Sequence, residues 1–297
     1  MAGRARAVFL TFGITLGVFL LFFVAVLTVL TYLEGGEILS LAGERVALVE
    51  VEGVILDADE VVGQLKEHLE NSTVKAVVVR INSPGGVVAP TQEIYDAVSR
   101  LRAKGKPVVA SLGSVAASGG YYIAAAADQI VASPGTLTGS IGVIMQLTNL
   151  EGLFKKVGLR YEVIKSGKYK DIGSFSRSMT EQERRILQTL MDDVYEQFVD
   201  AVAQGRNLER KAILAVADGR IFSGRQAKEL SLVDELGGRE EAIELASKLA
   251  GVSGKPRLLE RRRRFSIMEW IQGRFGGRSF LLPPVLLPFK TPLYLMD

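Results

Sequence analysis

The feature that most constrains this fold is the alternation of apolar runs with helical patterns over residues 45–132. The apolar runs are rich in Val, Leu and Ile and alternate poorly with polar residues, as strands buried on both faces do. They cover residues 45–56, 74–81, 107–112 and 129–132. Helical patterns lie between them, at residues 57–71, 91–103 and 121–127. This order predicts an α/β domain with a largely parallel sheet, in which sites lie at the carboxyl ends of the strands.

Ser118 lies at one such strand end. The apolar run at residues 107–112 stops at small residues, and a helical pattern resumes at Tyr121, which predicts a strand, a tight turn and a helix. The turn resembles the nucleophile elbow G-x-S-x-G, with Ala116 in place of the first glycine. A helix that starts after Ser118 also places backbone N–H groups where an oxyanion would develop. A plain glycine-rich connection with a capping serine is the alternative interpretation.

Two further segments are rich in glycine. Residues 82–86 read Asn-Ser-Pro-Gly-Gly directly after the run at 74–81. Consecutive glycines permit positive φ, and two aligned N–H groups can hold an anion, although a plain Pro-Gly turn has the same sequence. Residues 135–142 match no phosphate-binding loop. We expect them to form a loop that packs close to the site and lines a substrate groove.

Three lysines, Lys165, Lys168 and Lys170, lie in a loop after a strand predicted to begin at Tyr161. Residues 180–183, Thr-Glu-Gln-Glu, form a capping box, which predicts a long amphipathic helix to about residue 203. A lysine cluster is in most cases a solvated loop, and that interpretation stays open here. A lysine can also act as a general base where burial disfavours its charged form.

The chain contains no cysteine and a single histidine. The lack of cysteine excludes thiol catalysis, disulfides and cysteine-based metal sites. His68 lies in a polar helical pattern far from any nucleophile-like turn, and we expect it to be solvated. A Ser-His-Asp triad and a histidine-based metal site are therefore not expected, and neither a metal nor a cofactor is predicted.

Residues 7–33 form a run of 27 residues without charge. About 20 apolar residues span a bilayer, whereas the apolar core of a cleaved signal peptide has about 7–15. We therefore predict a retained transmembrane helix in the cell membrane. Arg4 and Arg6 precede it while Glu34 and Glu37 follow it, so the positive-inside rule places the N-terminus in the cytoplasm and the body outside.

The basic charge of the chain lies near its end. After Gly254 there are 9 Lys or Arg and 3 Asp or Glu, a net of +6, whereas the preceding residues carry 27 and 30, a net of −3. The body therefore gives no electrostatic case for binding nucleic acid. The basic and apolar tail, residues 255–297, is predicted to be a flexible extension. Two further roles for it are open, which are contact with an anionic lipid surface and occupation of a substrate groove.

Four motifs follow one another along the chain: R-I-N-S-P-G-G at 80–86, A-A-S-G-G-Y-Y at 116–122, G-S-I-G at 139–142 and S-G-K-Y-K-D at 166–171. In sequence and order they resemble the motifs of the bacterial signal peptide peptidases of the SppA type. This is a membrane-anchored serine–lysine protease family with a ClpP/crotonase-like fold. The resemblance extends over about residues 46–251.

The resemblance implies a role for each matching residue. Ser118 matches the family nucleophile and Lys170 its general base, while Gly85, with the N–H of Gly119, matches the oxyanion hole. It also implies a homo-oligomer that degrades cleaved signal peptides and other apolar peptides in or at the lipid bilayer. Nothing carries over to the tail, which lies outside the match.

The expected organisation is a cytoplasmic stub and anchor (1–33), a linker (34–44), a serine protease domain (45–254) and the tail (255–297). Two other functions fit parts of the sequence. A crotonase-type acyl-CoA enzyme would use the turn at 82–86 as an oxyanion hole without Ser118, but CoA chemistry is cytoplasmic and the body is predicted to lie outside. A non-catalytic membrane scaffold would not react with a fluorophosphonate at Ser118, whereas a serine protease would.

Overall fold

The computed structural model describes residues 15–25, 44–252, 254, 256–260 and 293–295. The chain divides into two units, residues 1–44 and 45–297. The described part of the first unit is a helix, α1, at residues 15–25, with exposed side chains. Among the described residues, no helix combines the length and the apolar character needed to cross a bilayer. The rest of the anchor predicted at residues 7–33 lies outside the described residues.

The second unit alternates strands and helices. Its strands are β1 (Arg45–Glu52), β2 (Val74–Ser83), β3 (Gly85–Val87), β4 (Val108–Ala117), β5 (Gln129–Ala132), β6 (Leu137–Gly139), β7 (Ile221–Ser223), β8 (Glu235–Leu236), β9 (Arg257–Glu260) and β10 (Leu293–Leu295). Its helices are α2 (Asp59–Glu70), α3 (Val88–Ala103), α4 (Gly119–Ala125), α5 (Glu151–Lys156), α6 (Glu181–Arg206), α7 (Arg210–Leu214), α8 (Gly224–Glu229) and α9 (Arg239–Leu249).

The strands build an 8-stranded sheet in the order β7-β6-β4-β2-β1-β9, with β5 beside β4 and β8 beside β5. All of its pairs are parallel except β6 with β7. The predicted α/β class with a largely parallel sheet is therefore confirmed. β9 lies in the segment that the sequence assigns to the tail, and it extends the sheet beside β1. β3 and β10 form a separate antiparallel pair.

Helices cover both faces of the sheet, which explains why its strands read as nearly continuous apolar runs. In β2, Val77 and Val79 join a core with side chains of α2, α3, α4 and α6. Ala76 and Val78 join a second core with side chains of α9. Because neighbouring side chains of a strand point to opposite faces, both sets are buried.

Three local predictions are wrong. The N-cap of α2 is Ala58, which has no side-chain cap, rather than Asp57. The strand predicted to stop at Leu112 continues through residues 113–117 as part of β4, because β2 and β6 pair with this part of the strand. Residues 161–165 form no strand, and their side chains are exposed. The capping box that opens α6 is confirmed.

Candidate active site

Ser118 joins β4 to α4 in a backbone conformation that is uncommon for a residue other than glycine, with φ 50° and ψ −117°. Its N–H donates to the carbonyl of Gly139 at 2.8 Å, and its carbonyl accepts from the N–H of Tyr122 at 2.8 Å. Such a conformation costs about 1–3 kcal/mol, and these bonds hold it in place. The strand, turn and helix predicted around Ser118 are present.

The Ser118 hydroxyl is buried and has no hydrogen-bond partner among the described residues. Leaving a buried hydroxyl unpaired costs about 1–3 kcal/mol. An ordinary capping serine would accept a bond from its helix, and the cap of α4 has no such bond. A strained backbone and an unpaired hydroxyl at the same residue are typical of a functional site.

Gly119 lies directly against β3. A Cβ built on Gly119 would lie 3.2 Å from the Cα of Gly85 and 3.2 Å from the N of Gly86, so a side chain here would press on the strand. Gly85 has φ 106°, which residues with a side chain rarely adopt. The fold therefore brings together three of the predicted site residues, namely Ser118, Gly119 and Gly85.

The turn at β3 offers a further donor that the sequence did not single out. The N–H of Gly85 donates to the hydroxyl of Ser83 at 3.1 Å. On one side of β3, Ile55 donates to the carbonyl of Gly85 at 2.9 Å and accepts from the N–H of Val87 at 2.8 Å. Because successive residues of a strand face opposite sides, the N–H of Gly86 points away from Ile55. The double glycine was the signal that could have identified Gly86.

The end of the chain lies next to this turn. β10 pairs with β3 in antiparallel register, with Tyr294 opposite Gly86. It also lies beside α3 and α4. Since β3 adjoins the Ser118 turn, β10 occupies the edge at which an extended peptide would approach the hydroxyl.

An open groove of about 760 Å³ begins one residue after Gly139. Its walls include Ser140, Ile141, Val143, Met191, Tyr195 and Ile221. The segment predicted to lie near the site, residues 135–142, does so, because Gly139 accepts the hydrogen bond of Ser118. Part of this segment is strand β6 rather than a loop.

Lys170 lies in an exposed turn between β6 and α6. The backbone N–H of Lys170 donates to the carbonyl of Gly167 at 3.2 Å. Within the described part of the chain, the Lys170 amine forms no hydrogen bond or ion pair, and the Ser118 hydroxyl has no partner. A single chain therefore does not bring the fourth predicted residue into hydrogen-bond contact with the other three.

The residue after Lys170 is firmly held. The Asp171 carboxylate accepts from Arg177 Nε at 2.9 Å and from Lys165. These bonds hold the pKa of Asp171 well below its usual range, and the bond from Arg177 has the larger effect. Arg177 also donates to Glu183 and lowers the pKa of that carboxyl to about 2. Because Glu183 closes the capping box of α6, the lysine-bearing turn is anchored to the start of that helix.

His68 is buried on α2, so the prediction that it is solvated is wrong. Burial lowers the pKa of His68, and nearby Lys106 lowers it further against the opposing effect of Glu67. The Lys106 amine donates to three carbonyls at the end of α2, including that of His68, so the Lys106 side chain lies against the end of the helix that carries His68. Among the described residues, no group of three or more His, Cys, Asp or Glu could hold a metal ion.

Comparison with known proteins places the chain among peptidases. The sequence-family model described as Peptidase family S49 matches residues 100–253, and the family model described as Clp protease matches residues 40–140. A putative protease of Synechocystis sp. is 50% identical over 70% of this chain and 76% of its own length. A putative signal peptide peptidase SppA of Enterococcus faecium is 36% identical over 70% of this chain and 64% of its own length. Protease 4 of Salmonella typhi is 35% identical over 70% of this chain, but over only 35% of its own length.

Proposed function

The chain belongs to peptidase family S49 and is a serine protease; from this premise we propose that Ser118 is its nucleophile and Lys170 of a second copy its general base. We further propose that its substrates are apolar peptides at a membrane, cleaved signal peptides among them. The observation that carries the proposal is the Ser118 hydroxyl, which is buried, held at a strained turn and unpaired among the described residues. The family sets aside the acyl-CoA enzyme and the scaffold considered from the sequence.

The reaction is acyl transfer through a covalent intermediate. The Ser118 oxygen attacks the carbonyl carbon of the scissile peptide while its proton passes to an uncharged Lys170 amine. The same proton then moves from Lys170 to the departing amine, and the C–N bond breaks. Water, deprotonated by Lys170, hydrolyses the ester and returns Ser118 to its starting state.

The negative charge on the carbonyl oxygen needs donors that are already in place. The N–H of Gly119 follows the nucleophile directly, and the turn of Gly85 and Gly86 lies against it. Gly85 serves if its bond to Ser83 exchanges, whereas the N–H of Gly86 faces the side of β3 that β10 covers and serves once β10 is displaced. Donors fixed before the reaction stabilise the oxyanion without reorganisation.

The lysine is assigned to a second copy because its surroundings lack what a general base requires. Lys170 is exposed, and burial is what disfavours the charged form of a lysine amine. The segment that carries it, between β6 and α6, also exposes apolar side chains, with Leu153 53%, Val157 66% and Ile164 103% exposed. Apolar surface of this kind is typical of an interface. Docking onto a second copy would cover both this surface and the lysine.

The substrate follows from the edge of β3. This strand takes an antiparallel partner, β10, as peptide-binding domains take an extended ligand. The neighbouring groove presents apolar side chains, which suits apolar segments. An anchor at residues 7–33 would hold the enzyme beside peptides left in the bilayer, with the catalytic unit on the outer side.

Two inactive variants test the pairing of Ser118 with Lys170. We expect Ser118→Ala and Lys170→Ala each to abolish hydrolysis of a fluorogenic apolar peptide, because each removes one half of the dyad. When both variants are co-expressed, activity should return in part, since some sites then combine an intact serine with an intact lysine. Ser114→Ala is the matched control, because Ser114 is an exposed serine on the same strand, β4.

Each part of the proposal has its own refutation. Full activity of Lys170→Ala would remove the general base. Inactive single variants with no activity on co-expression would show that the two residues act within one chain, against the assignment to a second copy. Fluorophosphonate labelling that persists in Ser118→Ala would place the nucleophile elsewhere.

A further inference from the structure

Arg177 uses every N–H group of its guanidinium. Its Nε donates to the Asp171 carboxylate at 2.9 Å, and Nη2 donates to the Asp171 carbonyl at 3.4 Å. Nη1 and Nη2 donate to the two carboxylate oxygens of Glu183 at 2.9 and 2.5 Å, and Nη1 also donates to the carbonyl of Ser178 at 3.2 Å. Five donors in a fixed plane are a property of arginine, and lysine with three donors on one atom cannot reproduce the arrangement.

The two carboxylates joined by Arg177 belong to different parts of the site. Glu183 is 4% exposed in its side chain and accepts from the N–H of Thr180 at 2.9 Å, which ties it to the start of α6. Asp171 is 11% exposed and belongs to the turn that carries Lys170. The N–H of Ser174 donates to the Asp171 carbonyl at 3.0 Å, and the N–H of Lys170 donates to the Gly167 carbonyl at 3.2 Å, so the backbone is held on both sides of Lys170. The Arg177 guanidinium thus connects α6 to the residue after Lys170, and Lys168 of the same turn makes a second, single bond to the helix, from its Nζ to Gln182 Oε1 at 2.7 Å.

The same contacts compensate the charge of Asp171, the residue that follows Lys170 in the chain. The described charged groups of this region include Lys165, Lys168, Lys170 and Asp171 on the turn, Arg177 after it, Glu183 on α6, and Glu151 on α5, which accepts from Ser178 and pairs with Lys155. Asp171 is compensated by Lys165 and Arg177, and Glu183 by Arg177. Without the guanidinium, Glu183 has no cation and Asp171 keeps only one. Uncompensated carboxylates beside an amine favour its protonated form, which cannot accept a proton.

We propose that Arg177 is a positioning residue for peptide hydrolysis, holding the Lys170 turn against α6 and neutralising Asp171. This inference rests on the proposed role of Lys170 as general base. It assigns to Arg177 no contact with substrate, and its effect passes entirely through the placement and the charge state of the lysine.

The test compares four variants of the full-length protein in peptide hydrolysis. We expect Arg177→Lys and Arg177→Ala to lower kcat about ten- to hundredfold with KM within about twofold, because misplacement of a reacting group by about 1 Å can cost that much. The acidic limb of the pH–rate profile should move to higher pH by about half a pH unit or more, because uncompensated carboxylates favour the protonated amine. Arg210→Ala is the matched control, since Arg210 also bridges two carboxylates, the exposed Glu196 and Asp200 of α6.

Lys170→Ala separates the failure of this inference from that of the proposed function. If Lys170→Ala is inactive while Arg177→Lys keeps the parent kcat and pH profile, the positioning role is wrong and the dyad stands. An activity loss in the Arg177 variants that merely follows the folded fraction, with an unmoved pH profile, would also overturn the role. If Lys170→Ala is active, both proposals fail together.

Discussion

Gly119→Ala tests the oxyanion hole by adding a single methyl group. The new Cβ would lie 3.0 Å from Thr91 Oγ1 and 3.2 Å from both the Gly85 Cα and the Gly86 N. Unstrained contacts between such atoms are about 3.5–4.0 Å, so the gap must open by a few tenths of an ångström. β3 cannot simply retreat, because two backbone hydrogen bonds of 2.8 and 2.9 Å tie it to Ile55. The start of α4, with its N–H donor, must move instead.

Gly119→Ala is expected to lower kcat by far more than its loss of folding stability can explain. Overpacking costs about 1–3 kcal/mol, and the better helix propensity of alanine offsets about 1 kcal/mol of it. A domain stable by about 5–15 kcal/mol keeps roughly 3 kcal/mol or more after such a loss, so about 1% of chains or fewer unfold. Misaligning one oxyanion donor, by contrast, lowers kcat about 10²–10³-fold. Unfolding therefore cannot account for the predicted loss of activity.

The assay pairs kcat on an apolar fluorogenic peptide with the free energy of unfolding from denaturant titration. Gly63→Ala is the control, because a Cβ there has no atom within 4 Å. It should stabilise α2 by about 0.5–1 kcal/mol and leave kcat unchanged. If Gly119→Ala keeps the parent kcat, the contact between Gly119 and β3 is structural only, and the oxyanion hole lies elsewhere.

Two further predictions concern the end of the chain and the anchor of the lysine turn. Deleting residues 293–297 should speed fluorophosphonate labelling of Ser118 several-fold, because β10 then no longer occupies the edge of β3; equal labelling rates would contradict this. The pKa of Glu183 is lowered from 4.5 to about 2, so its contribution to stability is complete above pH 4.5 and is lost as the pH falls through about 2. Glu183→Gln should therefore lower the thermal midpoint at neutral pH and flatten its decline between about pH 4.5 and 2, whereas parallel curves for variant and parent would refute the anchor.

The parts of the fold that sequence predicted well are those set by neighbouring residues. The capping box at Thr180 and Glu183 needs only four consecutive residues, and α6 begins there as predicted. β5 has the predicted bounds because its apolar run is short and lies between turn residues. The turn at Ser118 was predictable for the same reason, since a strand, small residues and a helical pattern follow one another directly.

The parts that sequence missed depend on partners distant in the chain. Residues 113–117 look like a turn by composition, yet they extend β4 because β2 and β6 lie on either side to accept their hydrogen bonds. Residues 161–165 look like a strand, yet exposed side chains and the lack of a ladder in the described structure leave them irregular. His68 lies in a polar pattern and is buried by contacts that no local rule contains. Nor does any local pattern show which donor of the Gly85–Gly86 turn is already used by Ser83.

The two halves of the proposed site differ in how the fold supports them, and this difference has a functional consequence. Ser118 lies in the core of the sheet, at a turn whose strain is held by buried hydrogen bonds. Lys170 lies on an exposed turn that is anchored through Asp171 and Arg177, and its amine has no hydrogen-bond partner among the described residues. Under the proposed function, a chain on its own holds a nucleophile without a base, and its β3 edge is occupied by β10. Hydrolysis then requires both the docking of a second copy and the displacement of β10, so a protease that acts on apolar segments stays inactive until it is assembled and has a peptide to bind.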